Sequence, residues 1–271
     1  MDARYGDLKT LVVSQEGRLL RVVLNQPDSL NAVSGDLQED LIELWPIVRR
    51  DESVGCVLLT AAGASFSAGG DIKGMAERAA DRERNGALVV GGLLQRAKVL
   101  LAGMLDVEQP IVAAVQGYAM GLGATIALCS DVTIAADDAT FADTHVAIGI
   151  VAGDGGALIW PLLLPVNVAK YYLMTGERIS GAEAARLGMV LKSVPAGQLA
   201  QSAEEVAVKL ANGASLAIRW TKYTVNQTLR ERLHSLFDIG ILLEGASMLS
   251  DDHRDATAAF VDKRRPTFNG R

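Results

Sequence analysis

Cysteine and histidine are scarce in this chain, which narrows the chemistry it can support. The sequence has 271 residues, of which two are cysteine and three are histidine. Cys56 and Cys129 both lie in apolar stretches, so we interpret them as buried small residues of a protein from a reducing compartment. No cysteine–histidine cluster has metal-ligand spacing, and no glycine-rich segment has the spacing of a dinucleotide-binding fingerprint. We therefore expect neither a metal centre nor a covalently bound cofactor.

Positive charge is also in short supply. Lysine and arginine number 26 against 32 acidic residues, which gives a formal net charge of −6. Basic residues form no block along the chain, so a nucleic-acid partner is not expected. The first seven residues contain no apolar segment of the kind that a secretory signal needs. Together with the cysteine usage, this favours a cytoplasmic protein.

A long uncharged stretch, Ile111–Ser130, is long enough to span a bilayer. Its first half is rich in β-branched residues and its second half in alanine, with glycines between the two. This pattern favours a buried strand, a turn and a buried helix over one membrane helix. We therefore predict no membrane partner.

Strand and helix patterns alternate along the first two thirds of the sequence. With 49% hydrophobic residues, the alternation predicts a large α/β core. Leu11–Val13 and Leu19–Leu24 read as a hairpin, and Met189–Leu191 is predicted as the last strand. Pro46 is expected to kink or end the first long helix.

From residue 196 onward the pattern is helical only. We expect separate helices over 215–230 and 233–250, and the surrounding sequence contains no linker rich in glycine, serine or proline. We accordingly divide the chain into a core, residues 1–195, and a helical C-terminal region, residues 196–271, which is expected to pack on the core or on a neighbouring subunit.

Two turns of small residues, Ser67–Asp71 and Met120–Ala124, each follow an apolar strand. Glycine is used where the backbone must adopt unusual angles or approach a ligand closely. Either turn alone is typical of an ordinary connection between a strand and a helix. Taken together, the two turns can offer two backbone N–H groups to one oxygen, which is the geometry of an oxyanion hole.

Five motifs in this order are similar to those of the crotonase superfamily, the enoyl-CoA hydratase/isomerase superfamily. They cover nearly the whole chain and are Asn25–Ser34, Phe66–Lys73, Ala113–Asp131, Leu173–Ile179 and Ala259–Arg264. The resemblance implies a core of ββα turns wound into a spiral. It also implies C-terminal helices that assemble the chain into a homotrimer or a hexamer of two trimers. The implied substrate is an acyl-CoA, so coenzyme A enters as part of the substrate.

The resemblance further implies where the substrate binds. The backbone N–H groups of Gly70 and Leu122 would form the oxyanion hole, although Leu122 stands where the hydratases usually have glycine. Lysine suits a phosphate site, with solvated surface charge as the alternative. The residues expected to contact CoA are Gly70, Asp71, Ile72 and Lys73 of one subunit, and Phe260 and Lys263 of its neighbour.

The chain departs from the hydratase pattern at the two positions where hydratases carry glutamates that activate water. These positions hold Thr125 and His145. Thr125 is expected to be a packing residue, because a hydroxyl has no useful pKa near neutrality. A histidine can serve as a general base at neutral pH, so His145 is the candidate acid–base residue.

His145, Asp154 and the following Trp160 are spaced as in 6-oxocamphor hydrolase, a C–C bond hydrolase of the same superfamily. That resemblance implies an Asp154 carboxylate that orients the imidazole, with Glu244 assisting. The alternatives are that Asp154 is a helix N-cap and that Glu244 is an exposed helix charge. Trp160 and Leu122 indicate an apolar acyl site.

Three further residues are weaker candidates. Asp143 precedes His145 by two positions and is expected to line the same pocket. His234 and His253 lie in polar helical contexts and are predicted to be surface residues.

Three functions follow from these residues. The first is an acyl-CoA-processing enzyme of the enoyl-CoA hydratase/isomerase type, a lyase or isomerase with His145 and Asp154 as its base and orienting carboxylate. The second is a hydrolase that cleaves a C–C bond of a β-diketone. The third is an inactive acyl-CoA-binding subunit that has lost both glutamates.

Overall fold

The computed structural model describes residues 3–6, 8–33, 35–90 and 95–271. Ser34, the last residue of the first motif, lies outside the described residues. The strands are β1 Leu11–Glu16, β2 Leu19–Leu24, β3 Cys56–Ala61, β4 Ile111–Val115, β5 Tyr118–Met120, β6 Val132–Ala136, β7 Thr140–Ala142, β8 Ile179–Ser180 and β9 Lys192–Val194. The helices are α1 Gly35–Arg50, α2 Ile72–Ala80, α3 Arg82–Val90, α4 Gln95–Asp106, α5 Leu122–Cys129, α6 Gly156–Leu163, α7 Val166–Thr175, α8 Gly181–Leu187, α9 Leu199–Ala211, α10 Ser215–Met248 and α11 Asp251–Val261.

Two sheets organise the core and confirm the predicted α/β class. The larger has six strands in the order β1-β2-β3-β4-β6-β9, and the smaller has the order β5-β7-β8. The β1–β2 hairpin is antiparallel, as predicted, and every later pairing in the large sheet is parallel. Strands β3 and β4 are almost wholly buried, which is why they read as continuous apolar runs rather than alternating ones.

The uncharged stretch Ile111–Ser130 folds as predicted, as strand β4, a turn with the short strand β5, and helix α5. Helix α5 is buried along nearly its whole length, which explains its alanines. Within the described part of the chain, no helix has both the length and the apolar character needed to cross a membrane.

Two of the helix ends that the sequence allowed do not occur. Helix α1 runs through Pro46 to Arg50, because Leu44, Trp45 and Val48 are fully buried and their burial outweighs the roughly 3 kcal/mol that an interior proline costs. The C-terminal pair of helices is a single 34-residue helix, α10. The charged segment at its centre, residues 229–233, consists of strong helix formers without glycine or proline, so nothing interrupts it.

The last strand lies three residues later than predicted, at Lys192–Val194. Gly188 ends α8 in a left-handed conformation, and the Met189 N–H returns to the Ala184 carbonyl of that helix. The sheet-forming bond to β6 starts only at Leu191, whose N–H donates to Thr133.

The C-terminal region is helical from Leu199 to Val261, apart from short connections. Helix α9 contacts β3 and β4, and its Leu199, Ala203 and Ala207 belong to the main hydrophobic core. Helix α10 contacts α4 and α6, and α11 contacts α2. These contacts place α10 and α11 beside the loops that follow the parallel strands.

Candidate active site

The two glycine turns lie side by side at the ends of their strands. The Ser67 N–H donates to Tyr118 O, and the Met120 N–H donates back to Ser67 O. Gly69 has a φ of +82°, and a Cβ there would lie 2.5 Å from the Met120 carbonyl oxygen. Only glycine therefore fits at this contact, and it brings the N–H of Gly70 close to the start of α5.

Gly70 and Leu122 line one cavity of about 270 Å³. Gly121, with a φ of +48°, precedes α5, so the Leu122 N–H stands in the first turn of that helix, where an N–H has no partner within the helix. Among the hydrogen bonds of the described residues, neither of these N–H groups donates to another element. The arrangement is consistent with the predicted oxyanion hole.

His145 stands at the start of a short 3₁₀ turn, His145–Ile148, and is held between two aspartates. Its Nδ1 lies 2.6 Å from Asp143 Oδ1, and its Nε2 lies 3.2 Å from Asp154 Oδ2. All three residues are buried: 7% of His145, 1% of Asp143 and 6% of Asp154 is exposed. His145 and Asp154 face the cavity that Gly70 and Leu122 line.

Asp154 is not the cap of the helix that follows it. The N-cap of α6 is Gly155, with a φ of +126° and no side-chain hydrogen bond. A Cβ at Gly155 would lie 2.4 Å from the Thr125 methyl group, so glycine lets the loop pack against α5 and turns the Asp154 side chain to His145. Thr125 itself is buried beneath this loop and does not line the cavity.

Glu244 comes to the cluster from α10 and is 2% exposed. Glu244 reaches the cluster because α10 packs closely on the loop before α6 at Gly240 and Gly153. A Cβ at Gly153 would lie 2.3 Å from the Gly240 carbonyl oxygen. One ring nitrogen of His145 and one carboxylate oxygen each of Asp154 and Glu244 lie within 4.8 Å of one another. The structure thus brings together the three residues that the sequence singled out.

The pKa values of His145 and Glu244 both lie above their ordinary values, by different balances of burial and nearby charge. Burial lowers the pKa of His145, but the charges and hydrogen bonds of Asp143 and Asp154 outweigh it and hold that pKa well above its usual value. Burial, with the nearby charge of Asp154, raises the pKa of Glu244 to about 8. Both shifts favour the protonated forms, the imidazolium of His145 and the neutral acid of Glu244.

Asp154 Oδ1 and Glu244 Oε2 are buried and make no hydrogen bond to any described residue. An ionised carboxylate with a free oxygen can accept a proton from a bound water, and a neutral acid can donate one. The same atoms are close enough to hold a cation, but the hydrogen bond to Asp154 already occupies Nε2 of His145. We therefore interpret the cluster as an acid–base site.

The other predicted binding residues lie at different places. Asp71 and Ile72 line the cavity. Lys73 is exposed at the start of α2, and Phe260 and Lys263 are exposed at the end of α11. Trp160 is fully buried in the core beside Tyr172 and does not line the cavity, so its predicted place in the acyl site is wrong; Leu122 does line it.

Two histidine predictions had different outcomes. His234 is exposed on α10, as predicted. His253 is 2% exposed, and its Nδ1 lies 2.7 Å from Ile148 O, so its prediction as a surface residue was wrong. The polar residues around it occupy the outer face of α11, while His253 lies on the inner face.

Sequence reasoning underestimated two residues. Asp143 was expected to line the same pocket as His145. It is not among the described residues that line the cavity, and it instead makes the shorter of the two contacts to His145; the signal was the Asp-x-His spacing at the end of a strand. Arg78 of α2 lines the cavity, and nothing in its local sequence distinguishes it from a surface arginine.

Comparison with known proteins assigns the class. A family model described as enoyl-CoA hydratase/isomerase matches residues 14–271. The chain belongs to this family of acyl-CoA-processing enzymes. It is 30% identical over 260 residues to the short-chain-enoyl-CoA hydratase of Clostridium acetobutylicum, covering 96% of this chain and 97% of that protein.

Two solved structures are also similar. An enoyl-CoA hydratase/isomerase from Mycobacterium paratuberculosis has a TM-score of 0.84 and 33% identity, covering 92% of this chain and 97% of that one. A β-diketone hydrolase from the cyanobacterium Anabaena, bound to (S)-3-oxocyclohexyl acetic acid, has a TM-score of 0.81 and 26% identity, covering 92% and 98%.

Proposed function

We propose that this enzyme adds water to the double bond of a 2,3-enoyl-CoA. The observation that carries the proposal is the buried His145–Asp154–Glu244 cluster, which faces the same cavity as the N–H groups of Gly70 and Leu122. A base, an acid and an oxyanion site around one cavity are what such an addition requires. The hydratase in Clostridium acetobutylicum and the shared family support the substrate class.

The proposed reaction has two proton transfers. Asp154 takes a proton from a water as its oxygen forms a bond to Cβ of the enoyl group, and the double-bond electrons move to the thioester oxygen. The N–H groups of Gly70 and Leu122 stabilise the resulting enolate. Glu244 then gives its proton to Cα. The proton that Asp154 took from water passes to Glu244 and restores the cluster, whose groups lie within 4.8 Å of one another.

Asp143 and His145 act as positioning groups in this scheme. Asp143 accepts the Nδ1 hydrogen bond at 2.6 Å, which fixes the ring and favours its charged form. The Nε2–H of His145 can then donate to one oxygen of Asp154 and leave the second oxygen for water. An imidazole with both nitrogens hydrogen-bonded has no free lone pair to act as the base itself.

The CoA part of the substrate is expected to follow the family pattern. Gly70, Asp71 and Ile72 line the cavity, and the exposed Lys73 is proposed to contact a CoA phosphate. Phe260 and Lys263 are proposed to come from a neighbouring subunit of a homotrimer or hexamer. Exposed apolar residues on α10 support an assembly; they include Leu216, Trp220, Val225, Ile239 and Leu242. A monomeric mass in light scattering would contradict it.

Hydrolysis of a C–C bond is the second candidate, favoured by Thr125 at a hydratase glutamate position and by the similar β-diketone hydrolase. Here water activated by Asp154 forms a C–O bond to one carbonyl carbon of a β-diketone. The bond from that carbonyl carbon to the carbon between the two carbonyl groups breaks, and its electrons form the enolate of the remaining ketone at the oxyanion hole. Glu244 protonates the enolate carbon, giving a carboxylic acid and a ketone.

A paired assay separates the candidates. Purified enzyme is given crotonyl-CoA or a cyclic β-diketone, each with wild type and His145→Ala, and products are identified by mass spectrometry. Hydration of crotonyl-CoA that depends on His145 supports the first proposal, and ring cleavage supports the second. Crotonyl-CoA hydration unchanged in His145→Ala contradicts the cluster mechanism. Binding of CoA esters without turnover of either substrate supports an inactive acyl-CoA-binding subunit instead.

Two earlier expectations stay predictions. The division at residue 195 into a core and an oligomerisation region is one, although α9 shares the hydrophobic core. A cytoplasmic location is the other, supported by two cysteines that remain free thiols; fractionation that recovers the protein outside the cytoplasm would contradict it.

A further inference from the structure

The charged side chains that line the cavity differ in whether they form hydrogen bonds or ion pairs. Besides the acid–base cluster, the cavity is lined by Asp71, Arg78 and Arg96. Asp71 caps α2 by accepting the Gly74 N–H at 3.1 Å, and Arg96 forms an ion pair with Glu39 of α1. Within the described ranges, the Arg78 side chain makes no hydrogen bond and no ion pair. Among the described residues that line the cavity, Arg78 is therefore a cation without an ion-pair partner.

The position of Arg78 is fixed by its helix. Its side chain runs back along α2 to Gly74. A Cβ built on Gly74 would lie 3.3 Å from Arg78 Nη1. The residue is half-buried, and α2 packs on α11. Burial lowers the pKa of Arg78, against the attraction of Asp71, as happens when a cation leaves water without a full partner.

We propose that Arg78 binds a carboxylate at the end of the acyl chain that is remote from the thioester. The proposal rests on the acyl-CoA function above and adds the substrate class: a short acyl group that itself carries an acid. A planar guanidinium matches a carboxylate with two parallel hydrogen bonds, and such charge-assisted bonds are stronger than neutral ones.

Cavity size and charge agree with this class. A volume of about 270 Å³ is below the usual 300–1,000 Å³ of small-molecule sites, so the acyl group is short. The cluster side of the cavity already carries negative charge on Asp154, which disfavours a second carboxylate there. An anionic group gains most beside Arg78, because Arg96 is already paired with Glu39. The same chemistry is offered by a CoA phosphate, and the experiment below separates the two sources.

The test measures binding, so it does not depend on turnover. Isothermal titration calorimetry compares butyryl-CoA with glutaryl-CoA, which adds a terminal carboxylate to a similar chain, on wild type and Arg78→Met. The methionine keeps an apolar stem and removes the charge. Arg84→Met, an exposed arginine of α3 outside the cavity, is the matched control, and Arg78→Lys reports on two-point binding.

We expect Arg78→Met to weaken glutaryl-CoA binding by about 10- to 100-fold, as for a lost hydrogen bond to a charged group, with butyryl-CoA nearly unchanged. Arg78→Lys should recover part of the loss and Arg84→Met should bind both like wild type. Equal weakening of both esters, or no weakening, overturns the proposal.

The pantetheine thioesters of the same two acids lack the nucleotide phosphates and separate the sources. A loss that persists with glutaryl-pantetheine supports the carboxylate, and a loss seen only with the CoA esters assigns Arg78 to a phosphate and overturns it. Because these esters are not turned over, failed hydration of crotonyl-CoA with intact glutaryl-CoA selectivity contradicts only the proposed reaction.

Discussion

His145 makes hydrogen bonds through both ring nitrogens, and this decides which neighbour can act on water. The 2.6 Å contact to Asp143 and the 3.2 Å contact to Asp154 favour the imidazolium. Asp143 and Asp154 each have one oxygen that is buried and unpartnered. Of the two, Asp154 lines the cavity and Asp143 does not, so Asp154 is the group with capacity to hold and deprotonate water. The roles of the two aspartates then differ: Asp143 orients and Asp154 reacts.

Replacing Asp143 tests the orienting role. Asp143→Asn keeps the side-chain shape but weakens a buried hydrogen bond to a charged ring, worth about 1.5–3 kcal/mol. We expect kcat to fall about 10- to 100-fold with KM little changed, and the acidic limb of the pH profile to move. Asp138→Asn, an exposed neighbour, is the control. Unchanged kcat in Asp143→Asn would exclude Asp143 from the mechanism.

Glu244 is expected to act as the proton donor, which requires its neutral form. Its pKa of about 8 means that the donor is present below that pH and lost above it. Wild-type kcat should therefore decline as pH rises through about 8. Glu244→Gln cannot donate a proton, so it should lose most activity and also lose this alkaline limb. Glu231→Gln, on the exposed face of α10, should leave the profile intact.

At this scale the sequence predicted the reacting residues better than their roles. His145 was singled out because it stands at a hydratase glutamate position, and Asp154 and Glu244 because they match 6-oxocamphor hydrolase; the fold brings the three together. The unpartnered state of Arg78 could not be predicted, because it depends on where Asp71 and Glu39 direct their carboxylates. His253 was misplaced because the local polarity of α11 did not reveal which face is buried.

Glycine contacts between elements hold the cluster together. Gly153 of the loop before α6 lies against Gly240 of α10, which places Glu244 one helical turn away from that contact. The Gly69 contact to Met120 does the same for the two turns. The sequence indicated these turns, since glycines follow two apolar strands. It could not indicate the Gly153–Gly240 contact, which joins residues far apart in the chain.

The variant Gly153→Ala tests that contact. The added Cβ would lie 2.3 Å from Gly240 O and 2.9 Å from Glu244 Cβ, so α10 must move away. We expect a loss of about 1–3 kcal/mol of stability, typical of overpacking, and a larger relative loss of kcat. Gly197→Ala, where a Cβ meets nothing within 4 Å, is the control. Wild-type kcat in Gly153→Ala would refute the dependence on this contact.

Helix α10 carries both an exposed apolar face and a residue of the buried cluster. Because one helix runs from Ser215 to Met248, its exposed apolar face and its buried Glu244 are mechanically joined. The expected break near residue 231 would have separated them. Helix propensity without a breaker was therefore the better guide here than the change in polarity.

For the whole molecule, the cluster makes stability depend on pH. The folded pKa values of His145 and Glu244 lie above their ordinary 6.5 and 4.5, so the folded chain holds protons that the unfolded chain releases. The stability that His145 contributes is complete below about 6.5 and is lost as pH rises through its folded pKa. The stability that Glu244 contributes is likewise complete below about 4.5 and is lost as pH rises to about 8.

We expect the free energy of unfolding to fall from pH 6 to 8. Glu244→Gln removes one of the titrating groups, so the slope should become shallower by about 1.4 kcal/mol per pH unit below pH 8. Urea unfolding at pH 6, 7 and 8 measures the slope, with Glu231→Gln as the control. A steeper slope in Glu244→Gln than in wild type would contradict the raised pKa.

The overall architecture was the most predictable level. Alternating strand and helix patterns, two glycine turns and five ordered motifs indicated the fold, and the family match over residues 14–271 confirms it. The substrate's acyl end was not predictable in this way, because it depends on which charges remain unpaired after folding.

We propose that the His145–Asp154–Glu244 cluster adds a solvent water to Cβ of an enoyl-CoA. The most direct measurement is mass spectrometry of the product formed from crotonyl-CoA in ¹⁸O-water and, separately, in D₂O. We predict one ¹⁸O in the hydroxyl group at Cβ and one deuterium at Cα, with both lost in Glu244→Gln. A product that carries no solvent oxygen, as from isomerisation alone, would contradict the account.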